Sequence, residues 1–159
     1  MTEKKYSKKH EWLEVNGSVA TVGITAHAAS QLGDIVFAEV PAAGKSFKKD
    51  DPAAVVESVK AASDVYSPLT GDIKESNQAI VTDPSLVNKD PESSGWFFKI
   101  TIKDQNELKD LMNKSDYEKY ATLIWTKSIM AKVKKKKSTA LRSFMRQIIK
   151  KLKEQFFLK

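Results

Sequence analysis

Cysteine is absent from the 159 residues, which removes disulfide frameworks, thiolate metal sites and cysteine nucleophiles. Histidine occurs only at positions 10 and 27, too few for a multi-histidine metal centre or a histidine relay. There is no Gly-rich phosphate loop and no nucleophile triad. No stretch approaches the about 18 apolar residues that span a bilayer. The start, MTEKKYSKKHEW, has no apolar run of the signal-peptide kind, so a cytoplasmic protein is expected. What is present is ordinary for a globular chain. Hydrophobic residues make up 41% and charged residues 30%, which excludes wholesale disorder and suits one domain with or without an appendage.

The formal net charge of +7 hides a division. Residues 127–159 hold 12 Lys and Arg against the single acid Glu154, a charge of +11. Residues 1–126 hold 15 basic and 19 acidic groups, a charge of −4. An acidic body therefore carries a basic extension, the pattern of an interaction tail.

Within 1–103 the hydrophobic pattern predicts strands at 11–15, 18–24, 35–40, 53–59, 72–75 and 96–102. In the last, Trp96, Phe98, Ile100 and Ile102 alternate with Phe97, Lys99, Thr101 and Lys103, which assigns one buried face. Asn16-Gly17, Pro41 to Gly44, Lys49 to Pro52 and Ser67 to Gly71 supply turn chemistry between the strands. Many short strands joined this way predict a mostly β sandwich or flattened barrel. A helix fits 26–32, closed by Gly33. Asp104 with Glu107, and Ser115 with Glu118, have capping-box spacing and predict two short helices. In the extension, Leu141, Phe144, Met145, Ile148, Ile149, Leu152 and Phe156 form one stripe of a basic amphipathic helix starting near 139, with Ser138 or Thr139 as N-cap. The division predicted is 1–126 for the domain and 127–159 for the extension.

The chemistry lies between Val55 and Gly71. An apolar strand runs into Lys60, small residues follow, and a second strand ends at a Pro/Gly turn. Lys60 is therefore expected at a hairpin tip, where its amine is a point nucleophile on a flexible stem and a target for acylation. A solvated surface lysine is the plain alternative.

The segment Glu57-Ser-Val-Lys-Ala-Ala-Ser-Asp64 resembles the lipoylation segment of the glycine cleavage system H proteins. The resemblance continues through His10-Glu-Trp12, Ala20 to Thr25, Leu32 to Phe37, Leu86-Val-Asn88, Gly95-Trp96 and the region 107–120, covering about 4–121. It implies a barrel-sandwich hybrid fold with short flanking helices, and a non-catalytic carrier with lipoate bound covalently to Lys60. It implies a shuttle of the aminomethyl group from glycine decarboxylase, a pyridoxal-phosphate enzyme, to an aminomethyltransferase, with reoxidation by dihydrolipoyl dehydrogenase. Lipoyl-attaching enzymes are further implied partners, with Glu57, Ser58, Val59 and Ala61 as the features of the turn they would recognise. Glu11 and Asp64 match family positions that hold the arm's ammonium. Lys9 departs from the family, some members of which have a small hydroxyl residue there; a cation at this position opposes an ammonium. Tethering gives the carried group a high local concentration at each docking enzyme, while rigid strands fix its anchor.

Two other carriers fit Lys60. One is a lipoyl donor for 2-oxoacid dehydrogenase subunits, separable from the shuttle by neighbouring genes. The other is a biotin carrier, which has Met on both sides of its lysine where Val59 and Ala61 stand here. The resemblance says nothing about 127–159, for which an anionic membrane surface, nucleic acid or an acidic partner are the functional readings, and a self-associating or docked helix or a disordered extension the plain ones.

Overall fold

The computed structural model of the chain describes residues 2–135 and 139–157. The chain forms two compact units, Met1–Lys114 and Ser115–Lys159.

The first unit is built from short strands whose alternation buries one face. In order they are β1 (Lys4–Tyr6), β2 (Glu11–Asn16), β3 (Val19–Ile24), β4 (Ile35–Glu39), β5 (Ser46–Phe47), β6 (Pro52–Ser58), β7 (Ala62–Tyr66), β8 (Gly71–Ser76) and β9 (Phe98–Ile102). Helices α1 (Ala26–Leu32), α2 (Gln78–Thr82) and α3 (Leu86–Lys89) interrupt them, and a 3-10 helix, Gln105–Asp110, follows β9. A six-stranded sheet has the order β1-β2-β3-β9-β8-β5, and a three-stranded sheet the order β4-β6-β7; every pairing is antiparallel.

One core joins the two sheets. Leu13, Val22, Ile73, Phe98 and Ile100 come from the larger sheet, and Ile35, Ala38, Val56 and Val65 from the smaller. Each fully buried side chain of the larger kinds contributes about 1.5–3 kcal/mol. This is the mostly β, two-sheet arrangement that the turn-rich sequence predicts.

The structure corrects several local expectations. Strand β9 starts at Phe98, and the preceding Phe97 is buried while Trp96 is only half-buried, so the alternation does not extend back to 96. Asp104 does cap the 3-10 helix, but through Asn106 N–H at 2.9 Å. Glu107 does not reach back to close a capping box. Its carboxylate accepts from Thr70 N–H at 2.6 Å and Thr70 Oγ1 at 2.7 Å. A long-range pair has displaced the local motif, and it ties the 3-10 helix to the turn before β8.

Helix α4 runs from Lys114, the last residue of the first unit, to Lys135, so Ser115 lies inside a helix rather than capping one, and a single long helix replaces the second short one. The change of composition at Lys127 falls within α4. Helix α5 covers Thr139–Phe157. Ser138 as a cap and the side chain of Phe156 in the stripe lie outside the described residues. Among the described residues no helix is long and apolar enough to cross a membrane.

Candidate functional site

Strands β6 and β7 pair through Glu57 and Ala62, leaving a tight turn over residues 58–61. Ser58 N–H donates to Ala61 O at 2.8 Å. The Ser58 hydroxyl accepts from both Lys60 N–H and Ala61 N–H at 3.1 Å, and these local bonds fix the turn without an αL glycine. Val59 and Lys60 occupy the tip and are exposed. Val59 N–H donates to Asp34 O at 3.1 Å, which ties the tip to the segment that follows α1.

That segment forms a shelf for the lysine stem. Thr25 Oγ1 caps α1 by accepting from Ala28 N–H, and Gly33 ends the helix in the left-handed region at φ 80°, donating to Ala29 O. A Cβ at Gly33 would lie 3.5 Å from both Cε and Nζ of Lys60, so the stem extends over this glycine. Asn88, on α3, clamps the shelf from its other side. Its Nδ2 donates to Gly33 O at 2.8 Å and its Oδ1 accepts from Ile35 N–H at 2.9 Å. Asn88 is a positioning residue that the periodicity of the sequence gives no means of finding, because its partners are 53 and 55 residues away.

Of the residues expected to mark the turn, Ser58 shapes it, while Glu57, Val59 and Ala61 are exposed around Lys60. A register shift between Ile35 and Phe37 adds exposed Val36 and Phe37 on the adjoining strand β4. The bulge breaks the alternation that would have buried one of this pair.

The two expected arm carboxylates differ in burial. Asp64 is exposed on β7 and lines an open cleft of about 420 Å³ with Glu39, Pro41, Lys45 and Pro52. Glu39 and Asp64 lie in one cross-strand row on either side of Val55, so the cleft has a second acid that pattern reading missed.

Glu11, in contrast, is 2% exposed. Its carboxylate accepts from the Ser7 hydroxyl and, at 3.3 Å, from Tyr66 N–H. It thus holds the end of β7 rather than facing solvent. The nearby Lys9 ammonium lies 3.4 Å from Asp50 and 3.9 Å from the Tyr66 ring centroid, partners that balance its charge. His10, at φ 70°, has its ring 5.0 Å from that of His27. Burial first, and His27 second, lower its pKa, which favours the neutral ring.

Burial also raises the Glu11 pKa, against the opposing effects of the Ser7 bond, the Tyr66 and Glu11 amides and the Lys9 charge. The folded protein therefore holds this proton more tightly than the unfolded chain. Glu11 supports folding most below the ordinary carboxylate pKa, and that contribution is lost as pH rises through the folded value. In urea unfolding from about pH 4 to pH 7, the stability of Glu11→Gln relative to the parent should therefore shift in the variant's favour. A difference independent of pH would contradict this assignment.

Residues 4–124 match the family described as Glycine cleavage H-protein. The glycine cleavage system H protein of Bradyrhizobium diazoefficiens is 55% identical over 118 residues, covering 74% of this chain and 97% of that protein. The Thermotoga maritima protein of the same name is 51% identical over 120 residues, with 76% and 97% covered. A crystal structure of a glycine cleavage system H protein from Mycobacterium marinum superposes with a TM-score of 0.66 at 32% identity, covering 72% of this chain and 93% of that one. With its exposed lysine turn, its two sheets and this likeness along residues 4–124, the chain belongs to the glycine cleavage H-protein family.

Proposed function

We propose that Lys60 carries lipoate in amide linkage and that the chain serves glycine cleavage as its mobile-arm carrier. The observation that carries this reading is the placement of Lys60. It is exposed at the tip of a turn whose backbone is pinned by Ser58 and Asp34, so an attaching enzyme meets a reachable amine on a fixed base. The residues present suit the group. An acyl chain on Nζ removes the lysine charge, and the small Ala61 and Gly33 leave space beside the stem. When bound, lipoate supplies a disulfide–dithiol pair able to carry a one-carbon amine unit and two electrons. The protein contributes presentation, orientation and electrostatics.

The family is a carrier component of glycine cleavage, which makes glycine decarboxylase and aminomethyltransferase its partners. We assign dihydrolipoyl dehydrogenase and the lipoyl-attaching enzymes as further visitors to the same turn. Exposed Val36, Phe37 and Val59 beside Glu57 offer them a mixed apolar and acidic surface. Peptide mass mapping after expression in lipoylation-competent cells tests the central assignment. Lipoate is expected on the peptide containing Lys60, and lipoate on any other lysine would refute it.

Asp64 has a separate role in this reading. Its carboxylate, with Glu39 in the same row, outnumbers the one cation of the lining, Lys45, and leaves the cleft with a net negative charge suited to an ammonium at the end of the arm. Glu11 acts through Tyr66 by fixing the end of β7 two residues beyond Asp64. Asp64→Asn should shorten the lifetime of the methylamine-loaded protein several-fold while its extent of lipoylation stays at the parent level. An unchanged lifetime removes Asp64 from this role.

A further inference from the structure

Helix α5 lies beyond the residues that match the family and carries two coincident features. At 3.6 residues per turn, Leu141, Phe144, Met145, Ile148, Ile149 and Leu152 fall within an arc of about 140°. Arg142, Arg146, Lys150 and Lys153 fill the arc along one border of that stripe, and Lys151 marks the other border. Met145 is buried and Ile148, Ile149 and Leu152 are half-buried, but Leu141 and Phe144 remain 36% and 59% exposed. Arg142 Nη2 donates to Lys134 O at 3.2 Å, which places the start of α5 at the end of α4, where Lys132, Lys134 and Lys135 are. Cationic side chains from two helices thus collect at one end of an apolar stripe, and Glu154 is the single acid from 127 onward.

We infer that α5 is an interfacial helix that attaches this chain to anionic lipid surfaces. The occupant follows from the joint requirement. A polyanion such as nucleic acid satisfies the positive charge but leaves the exposed apolar edge in water. A second copy satisfies the apolar edge but brings together two extensions of +11. An anionic bilayer interface answers both, because Leu141 and Phe144 enter the acyl boundary while the bordering Arg and Lys stems reach the headgroups. The helix lies on the surface and does not span it. A carrier so attached would work close to a membrane without change to the Lys60 turn, and this inference is independent of the lipoyl reading.

The test uses the full chain and sedimentation with vesicles of phosphatidylcholine alone or mixed with phosphatidylglycerol. The parent should bind the mixed vesicles at about 0.05 M salt, ignore the neutral ones, and lose at least about tenfold in partitioning by about 0.5 M, as the Debye length contracts. Arg146→Gln and Lys150→Gln should each cost about fivefold. Phe144→Asp should cost about tenfold or more, whereas Phe144→Leu should retain binding, with helix content followed by circular dichroism. Failure to bind the mixed vesicles at low salt overturns the inference. So does equal binding to neutral vesicles, or a Phe144→Asp variant that binds like the parent. Tighter binding to duplex DNA or single-stranded RNA than to the mixed vesicles, insensitive to Phe144→Asp, would reassign the helix to nucleic acid and also overturn it.

Discussion

Replacing Lys60 by arginine is expected to abolish lipoylation and reduce glycine cleavage with the partner enzymes to background, while the thermal midpoint stays at the parent value. The side chain is exposed at a turn whose hydrogen bonds use the backbone and the Ser58 hydroxyl, none of which the substitution removes. An exposed substitution of this kind moves stability by no more than about 0.5 kcal/mol. Arginine keeps the positive charge and the apolar stem over Gly33, but its guanidinium does not form the amide. Charge and packing are held constant and only nucleophilicity is withdrawn, so the loss reports chemistry rather than folding. Intact mass measures the modification, and exchange of the glycine carboxyl with bicarbonate measures the carrier. Residual exchange above background in Lys60→Arg would place the carrying group elsewhere.

The lysine turn was legible because its determinants are local. An apolar strand, a Ser-Val-Lys-Ala step and a second strand determine where the amine emerges, and the same is true of Gly33 closing α1. What was not legible depends on distant partners. Glu107 has the spacing of a capping box, yet Thr70 offers it two donors in a part-buried corner, and the non-local bonds prevail. Glu11 is expected from the resemblance among the acids around the arm's ammonium, but the return of β7 covers it and makes it accept from Tyr66 N–H. Strands β1 and β5, of three and two residues, exist only because β2 and β8 supply their ladders. Phe37 and Val36 are exposed by a bulge that no hydrophobic pattern announces. The sequence pattern determines which faces are apolar; the pairing of strands determines which polar groups meet.

Gly71 shows the same division in a single residue, and Gly71→Ala is expected to be the most damaging small substitution in the first unit. In the sequence it closes Ser67-Pro-Leu-Thr-Gly71 and reads as part of a turn, where glycine most often serves by adopting a positive φ. In the structure its φ is not in that region, and it is the first residue of β8, paired with Phe47 on one side and Ile102 on the other. The requirement is close approach. A Cβ there would lie 1.9 Å from Thr101 O and 2.8 Å from Ile100 Cγ1. Neither neighbour is free to yield. Thr101 is held in register with both Val19 and Asp72, and Ile100 is fully buried. The chain on the other side is fixed as well, since Thr70 accepts from Lys103 N–H through its carbonyl and donates to Glu107. One methyl group must therefore shift the start of β8 from the end of β9 in the larger sheet, an overpacking cost of about 3 kcal/mol. For a unit of this size that lowers the thermal midpoint by roughly 10 °C. Lys60 stands on the smaller sheet, so below the lowered midpoint the variant should still accept lipoate at that residue. Calorimetry and intact mass separate the two effects. A midpoint within about 2 °C of the parent would mean that the sheet opens at this corner more easily than its pairing implies.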